Sequence, residues 1–243
     1  MKFPENAQCY YCKKAATTID HIFPKCFFPP DYRNHLITVH SCAEHNNFRS
    51  KDDEYTAAVI AMNSESNLAF TLFNSKWVQT LLRREGVLGK RIFSTARNAK
   101  VVSRRNGILI PYETLAISYE VGRIERVIES IAHALYYRDS GYQEKWLKSC
   151  IIRSPNFLRK DLRKSENFYF LDQVNQVFIH GEKHPELGLT KKGANPDVFY
   201  YQLFQSKEDV NSIIRMVFYG DFTFLAFLHE ENATFDRILV PVG

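Results

Sequence analysis

The 243-residue sequence lacks any apolar run of membrane-spanning length, since stretches such as residues 225–228 fall far short of the roughly 18 residues required. Its first residues also lack the apolar segment of a secretory signal. Cysteine is scarce, and five residues, an odd number, do not make a disulfide framework. Internal repeats and low-complexity tracts are absent too. These absences predict a soluble, cytoplasmic protein with no membrane partner.

What the sequence does contain is typical of a packed globular protein. Hydrophobic residues make up 45% and charged residues 24%, and aromatics reach 14%, which supplies bulky side chains for a core. The net charge of +5 hides a local concentration of positive charge. Between Lys76 and Arg105 there are nine basic residues and one acid, Glu85, and a second basic stretch runs over 145–164. Such patches suit a polyanion, although a solvated helix face accounts for the charges equally well.

Composition and periodicity divide the chain into three zones, residues 1–55, 56–105 and 106–243. The first holds four of the five cysteines, four of the eight histidines and four of the nine prolines, with little helical periodicity. Helical spacing over 57–61 and 68–81 makes the second zone a basic helical connector. The third zone mixes one clear amphipathic helix over 124–135 with aromatic and β-branched segments that favour antiparallel strands. Those strands are expected at 108–112, 168–171, 177–179, 198–204, 216–219 and 222–228.

Two matched pairs of soft ligands flank the first zone. Cys9 and Cys12 are separated by two residues, and so are Cys42 and His45. A tight turn can aim both members of such a pair at one ion, so the two pairs predict a structural Zn²⁺ site that stabilises a segment with little core. His40 is a competing fourth ligand, and a redox role for the first pair is the alternative to a metal site. Cys26 and Cys150 have no partner in this scheme and are interpreted as ordinary thiols.

A second group of polar residues lies between and beside these pairs. Asp20 and His21 are adjacent, and Asn46 directly follows the proposed zinc ligand His45. A carboxylate and an amide oxygen that leave room for water suit a hard cation such as Mg²⁺. Adjacent side chains of a strand point to opposite faces, so Asp20 and His21 are not expected to share one zinc.

These motifs, taken in order, resemble the HNH endonuclease family. The resemblance covers residues 9–55 and is carried by the following elements: Cys-x-x-Cys, Asp20-His21-Ile22-x-Pro24, Leu36-Ile37-Thr38-Val39, and Cys42-x-x-His45-Asn46-Asn47 with Ser50-Lys51-Asp52 behind it. It is similar to the subgroup in which a zinc knuckle braces the ββα-metal nuclease unit. The family's second pair usually ends in cysteine, whereas here His45 stands in that place.

The resemblance implies a catalytic site and a fold. It implies one catalytic Mg²⁺ or Mn²⁺ on Asp20 and Asn46, with His21 as the general base. The middle residue of the family motif falls on His35, which is expected to orient the base-bearing loop, with Asn34 as its rival. The expected fold is α+β: a small zinc-braced ββα-metal nuclease module, a helical connector and a C-terminal mixed α/antiparallel-β domain.

The sequence thus predicts a metal-dependent endonuclease that hydrolyses DNA phosphodiester bonds. A non-catalytic zinc-containing module that binds nucleic acid or protein is the alternative. Nucleic acid, most of all DNA, is the expected partner, and the C-terminal domain is open to a homodimer or a regulatory protein partner.

Overall fold

The structure, a computed structural model, describes residues 7–82, 86–105, 108–141, 149–157, 166–205 and 212–229. Most of the second basic stretch of the sequence lies outside these residues, as do Arg83, Arg84 and Glu85 of the first. The fold is mixed α/β, and every sheet in the described ranges is antiparallel. In those same ranges no helix combines the length and the apolar character that a membrane span requires.

The chain begins with a hairpin and short helices. Strand β1 (Thr18–His21) pairs with β2 (Thr38–Ser41), so that Asp20 lies opposite Val39 and His21 opposite Thr38. Two 3₁₀ turns occupy the loop between the strands. Helix α1 (Ala43–Asn47) follows β2 at once and packs against β1, and α2 (Ser50–Asn63) continues the chain.

Residues 50–93 form the helical part that the sequence predicts. After α2, Ser66 caps α3 (Asn67–Leu72) by accepting a hydrogen bond from the Leu68 N–H group at 3.2 Å. A π-helical turn (Phe73–Trp77) joins α3 to α4 (Val78–Leu82). Gly86, with φ of +69°, then redirects the chain into α5 (Val87–Phe93).

The prediction of a helical connector up to residue 105 is wrong at its end. From Arg97 the basic residues lie on β3 (Arg97–Arg105), which pairs with β4 (Ile108–Ala116) over nine residue pairs. We call this two-stranded sheet the ribbon. Its two strands pair with each other and with no other strand in the described part of the chain. The helical spacing predicted for residues 57–81 therefore does not extend into this segment. The strand predicted at 108–112 is confirmed.

The remaining elements build a five-stranded sheet with helices. The amphipathic helix predicted at 124–135 is α6 (Val121–Asp139). Its strands are β5 (Ser149–Arg153), β6 (Lys192–Asn195), β7 (Phe199–Gln205), β8 (Ser212–Phe218) and β9 (Phe222–His229). They lie side by side in the order β5-β9-β8-β7-β6.

Strands were expected at 168–171 and 177–179, and both predictions are wrong. These residues lie in helix α7 (Glu166–Gly181), whose Leu171, Val174 and Phe178 follow a helical spacing. Leu171 and Phe178 are buried against Leu225 and Phe227 of the sheet. The aromatic residues that suggested strands therefore serve a helix face.

One large apolar core runs through all three zones of the sequence. It contains Tyr10 and Phe23 from the first zone, Trp77 from the second, and Ile128 and Phe218 from the third. Phe23 packs on Phe199 of β7 with ring centroids 3.6 Å apart. The hairpin that carries the predicted site is thus fixed against the C-terminal sheet, and the three domains 1–55, 56–105 and 106–243 stay a prediction.

Candidate metal and catalytic site

The two ligand pairs predicted from the sequence converge in space. Cys9, Cys12, Cys42 and His45 offer ligand atoms that all lie within 4.8 Å of one another. The Cys42 Sγ atom is 3.2 Å from His45 Nδ1, Cys9 Sγ is 3.8 Å from the same nitrogen, and Cys12 Sγ is 3.8 Å from Cys42 Sγ. A tetrahedral zinc site requires about 3.8 Å between two sulfurs and about 3.6 Å between sulfur and nitrogen. The cluster can therefore bind a metal such as zinc, with His45 and not His40 as its fourth member.

Local backbone geometry explains why these side chains meet. Cys9 and Cys12 lie on a turn in which the Cys9 N–H donates to the Lys14 carbonyl at 2.8 Å and Lys13 has a positive φ of 61°. Cys42 is the last extended residue before α1, so His45 lies one helical turn beyond it. Turn and helix start are brought together where the Tyr10 N–H donates to the His40 carbonyl of β2 at 3.0 Å.

The cluster also favours the ionised form of one thiol. Burial opposes ionisation of Cys9, but hydrogen bonds from the backbone N–H groups of Cys42, Tyr11 and Cys12 outweigh it and lower the pKa of this thiol. The Tyr11 N–H lies 3.5 Å from the Cys9 sulfur. Since metals bind the thiolate, this arrangement suits a metal ligand.

Two aromatic rings cover the histidine of the cluster. Tyr11 and Phe48 have ring centroids 4.8 Å and 5.2 Å from that of His45, respectively. Both rings are partly exposed, so they form the solvent side of the cluster.

The predicted oxygen ligands lie on neighbouring elements. Asp20 is the third residue of β1, and Asn46 is the fourth residue of α1, which packs against that strand. Asn46 is half-buried, and no hydrogen bond joins it to Asp20 in the described ranges. The strand that carries Asp20 and the helix that carries Asn46 are thus adjacent. Binding of one cation by both side chains stays a prediction.

Asp20 contacts an arginine that sequence reasoning missed. Arg49 is 5% exposed, and its Nη2 atom is 3.9 Å from Asp20 Oδ2 and 3.2 Å from the Ile22 carbonyl oxygen to which it donates. Burial raises the pKa of Asp20 to about 6, although the guanidinium opposes this. The carboxylate thus lies in an environment that disfavours its charge and favours a nearby cation.

The same arginine reaches a second buried carboxylate. Its Nε atom is 3.3 Å from Asp53 Oδ1, one helical turn along α2. Burial raises the pKa of Asp53 to about 7, which Arg49 again opposes. Arg49 also donates to the Ser130 hydroxyl of α6, which lies 2.8 Å from the Tyr10 hydroxyl. The Arg49–Asp53 spacing of four residues was a visible signal, but Ser130 and Tyr10 are too distant in sequence to be found that way.

The role of His21 as a general base stays a prediction. It ends β1, is half-buried, and has a pKa lowered by burial and by the charge of Lys25. The imidazole is therefore largely unprotonated at neutral pH and able to accept a proton. Alternation along the strand directs Asp20 and His21 to opposite sides of β1.

The predicted middle residue is not joined to this group. His35 is exposed and has a left-handed backbone conformation with φ of 57° in the loop before β2. Its neighbour Asn34 accepts a hydrogen bond from Asn195 through its carbonyl oxygen at 3.1 Å. No side-chain hydrogen bond of either residue to β1 is present in the described ranges, so the orienting role of His35 or Asn34 stays a prediction.

The remaining cysteines lie apart from the cluster. Cys26 and Cys150 are free thiols, and burial raises the pKa of Cys26 to about 12 and that of Cys150 in the same direction. High pKa values keep both thiols protonated and unreactive at neutral pH.

Comparison with known proteins adds no support for the resemblance, which depends on the motif residues and their geometry alone. No protein family, no curated protein and no solved structure matches the chain.

Proposed function

We propose that the chain is a metal-dependent endonuclease of the HNH type that hydrolyses DNA phosphodiester bonds. The observation that supports it most is the arrangement of β1, β2 and α1, which places Asp20 and His21 on a hairpin strand and Asn46 on the helix packed against it. A metal ion in the Cys9–Cys12–Cys42–His45 cluster would fasten that helix to the turn of Cys9 and Cys12. A ribbon of basic character follows in the same chain.

His21 acts as the general base in this proposal. Its lowered pKa keeps the imidazole free to remove a proton from water as the water oxygen bonds to phosphorus. The bond between phosphorus and the 3′ oxygen then breaks, and solvent protonates the departing oxygen. The products are a 5′-phosphate and a 3′-hydroxyl.

Asp20 and Asn46 would hold the catalytic Mg²⁺ or Mn²⁺. Their carboxylate and amide oxygens are the hard ligands that such ions take. The 3.9 Å separation of Asp20 Oδ2 from Arg49 Nη2 is too long for a hydrogen bond, so the carboxylate keeps lone pairs for a ligand. When bound, the cation supplies the positive charge that stabilises the phosphate and the leaving oxygen in the transition state.

The decisive experiment compares plasmid cleavage by the wild type and the His21→Ala variant with Mg²⁺ or Mn²⁺ present. Loss of the base should reduce cleavage by roughly 10²–10⁴-fold. His40→Ala is a matched control, because His40 is an imidazole of the same hairpin that has no catalytic role in the proposal. If the wild type leaves plasmid intact with every divalent ion tried, or if both variants cleave alike, the proposal is wrong.

A structural Zn²⁺ in the cysteine cluster is part of the same proposal. The purified protein should contain one zinc per chain by elemental analysis, and Cys42→Ser should lose it. Cys26→Ser is the matched control, since Cys26 lies outside the cluster and its substitution should leave the zinc content at one. Absence of zinc from the wild type would instead favour a redox role for Cys9 and Cys12.

The alternative is a non-catalytic zinc module that binds nucleic acid or protein. It is favoured by the Arg49–Asp20 contact, because a guanidinium beside the carboxylate occupies part of the space that a cation would use. Under this alternative the wild type contains zinc and binds DNA but does not cut it. Formation of a homodimer, or binding of a regulatory protein, through residues 106–243 stays a prediction.

A further inference from the structure

A wide pocket opens among helices α2, α4, α5 and α6 and the π-helical turn. Its volume is about 670 Å³, which is in the range of small-molecule sites. Its lining includes Lys51 and Glu54 of α2, Lys76 of the π-helical turn, Val87, Leu88 and Arg91 of α5, and Arg123 of α6. Four of the ten lining residues are basic and one is acidic, so the lining is electropositive.

Two of the cations have no carboxylate partner in the described ranges. The Lys76 ammonium is half-buried and donates to the Cys26 carbonyl at 2.8 Å, while it lies 4.3 Å from the centre of the Trp77 ring. Lys51 has no side-chain partner there either. Burial lowers the pKa of Lys76, because it removes water that stabilised the charge, and the nearby charge of Glu54 opposes this only in part. An anion in the pocket would offset that loss of solvation.

The two arginines are held in fixed orientations. Arg91 donates to both carboxylate oxygens of Glu120, one of them at 3.0 Å from Nη2. Arg123 donates from Nε to Asp52 at 2.6 Å and from Nη2 to the Lys51 carbonyl at 2.9 Å, and its Cζ atom lies 4.4 Å from the centre of the Tyr55 ring. A guanidinium oriented in advance loses little entropy when its remaining N–H groups meet a phosphate.

The acidic and apolar residues indicate more than a bare phosphate. The Glu54 carboxylate can only accept hydrogen bonds, so it suits a sugar hydroxyl or a base amino group rather than an anion. Leu88 and the exposed Val87 add an apolar wall for a ring. The hydrogen bond from Lys76 to Cys26 joins this pocket to the loop that follows His21 in the chain.

We propose that this pocket binds one nucleotide, with Lys51, Lys76, Arg91 and Arg123 around its phosphate and Glu54 facing its sugar or base. The nucleotide belongs to a nucleic-acid strand or is free in solution, and the strand version rests on the proposed nuclease function. In that version the pocket holds a nucleotide of the substrate beside the cleavage site.

Calorimetry on the full-length, zinc-loaded His21→Ala protein without added Mg²⁺ tests the proposal. Thymidine 5′-monophosphate should bind, and thymidine and inorganic phosphate should each bind at least tenfold more weakly. Lys76→Met should weaken binding of the monophosphate about tenfold or more, whereas Lys76→Arg should retain it. Lys51→Gln, at an exposed position, should also weaken binding, and Lys183→Gln in the segment after α7 should not.

A competition experiment separates the two sources of the nucleotide. Displacement of a labelled 12-nucleotide strand by thymidine 5′-monophosphate supports the strand version. If the monophosphate binds in a way that depends on Lys76 but does not displace the labelled strand, the pocket binds a free nucleotide and the strand version is wrong. No binding, or binding that neither Lys76→Met nor Lys51→Gln weakens, overturns the pocket altogether. Since these measurements involve no cleavage, the pocket can fail while the wild type cuts plasmid, and the reverse.

Discussion

Arg49 is the residue on which most of the site's electrostatics depends. It is nearly inaccessible to solvent and lies between two buried carboxylates, Asp20 and Asp53, that belong to different elements. Removing one partner of a buried ion pair is expensive, because the other charge is left without compensation. The residue therefore stabilises the fold and holds Asp20 in place at once.

We expect Arg49→Met to lower the free energy of unfolding by about 3–5 kcal/mol in urea denaturation, since two carboxylates lose their cation. Arg126→Met is the matched control: Arg126 also pairs with an aspartate, Asp52, but is 59% exposed and should cost at most about 1 kcal/mol. If both variants lose the same free energy of unfolding, the burial of Arg49 contributes nothing to stability.

Residue identity and spacing were enough to predict the cysteine cluster. Two pairs with two intervening residues each, 29 residues apart, specify a tetrahedral donor set whatever the loop between them does. The environment of Asp20 could not be predicted in this way. Its partner Arg49 is 29 positions away. Arg49 in turn donates to Ser130 of α6, which lies beside the Tyr10 hydroxyl, and only the folded chain reveals these contacts.

Helix α6 and the β8–β9 hairpin were predicted well, whereas helix α7 and the first strand of the ribbon were not. Helix α6 shows apolar residues at three- and four-residue spacing because it packs on α2 and the sheet. The hairpin of β8 and β9 was predicted from its Gly220-Asp221 turn, where Gly220 has φ of 86°. Strand β3 shows no such spacing, and the ribbon pairs with no other strand in the described part of the chain.

The ribbon is expected to contact nucleic acid through its first strand. Arg97 and Lys100 are exposed, and the 3.8 Å pair of Lys100 with Glu113 is open to solvent and therefore weak. A two-stranded ribbon is also narrow enough for the major groove of duplex DNA. If the protein binds DNA, we therefore expect the ribbon to contact the duplex form.

The double variant Arg97→Gln/Lys100→Gln should flatten the salt dependence of DNA binding. The slope of log K against log salt is negative, and each lost phosphate contact reduces its magnitude by about 0.9. We therefore expect the magnitude to be smaller by about 2 in filter-binding titrations. Lys183→Gln/Lys191→Gln removes the same charge from the segment after α7 and should leave the slope unchanged. An unchanged slope in the ribbon variant would remove the ribbon from the interface.

Helices α2 and α6 are joined by an acid-sensitive contact. Asp52 accepts hydrogen bonds from Arg123 at 2.6 Å and Arg126 at 2.9 Å. Burial would raise the pKa of Asp52, but these two guanidinium groups outweigh it and hold the pKa below its ordinary value of 3.8. A carboxyl whose pKa is lower in the folded state stabilises the fold above its unfolded pKa and loses that contribution as pH falls through the folded value.

Asp52→Asn should therefore lower the Tm at pH 6–7, and the difference from the wild type should shrink as pH falls below about 4. Thermal melts from pH 3 to 7 measure it. Loss of metal in acid affects both proteins alike, so the difference between them isolates Asp52. A constant difference over the whole range would contradict the assignment.

At the scale of the molecule, the candidate site is stabilised from the far end of the chain. The buried Tyr219 hydroxyl donates to the Phe27 carbonyl at 2.7 Å, and Phe23 packs on Phe199 and Phe218. The hairpin with Asp20 and His21 thus shares its packing with the five-stranded sheet. This predicts one cooperative unfolding transition for the metal cluster and the sheet.

Phe23→Ala should destabilise the whole protein by about 3–5 kcal/mol, the usual cost of emptying a buried phenylalanine site. Zinc release and loss of the circular dichroism signal should shift together to lower temperature. Phe70→Ala, at a position 66% exposed, should change neither. Zinc release that separates from loss of the sheet signal would show that the first zone unfolds by itself.

The long separation between Phe27 and Tyr219 has a consequence during protein synthesis. These two residues are 192 positions apart, so ribosomes adding about 5–20 residues per second finish the sheet roughly 10–40 s after the cysteines emerge. Throughout that interval the nascent hairpin has thiols and aromatic rings but no sheet to cover them. Early capture of metal would close the turn and protect the sulfurs from oxidation until the rest of the polypeptide arrives.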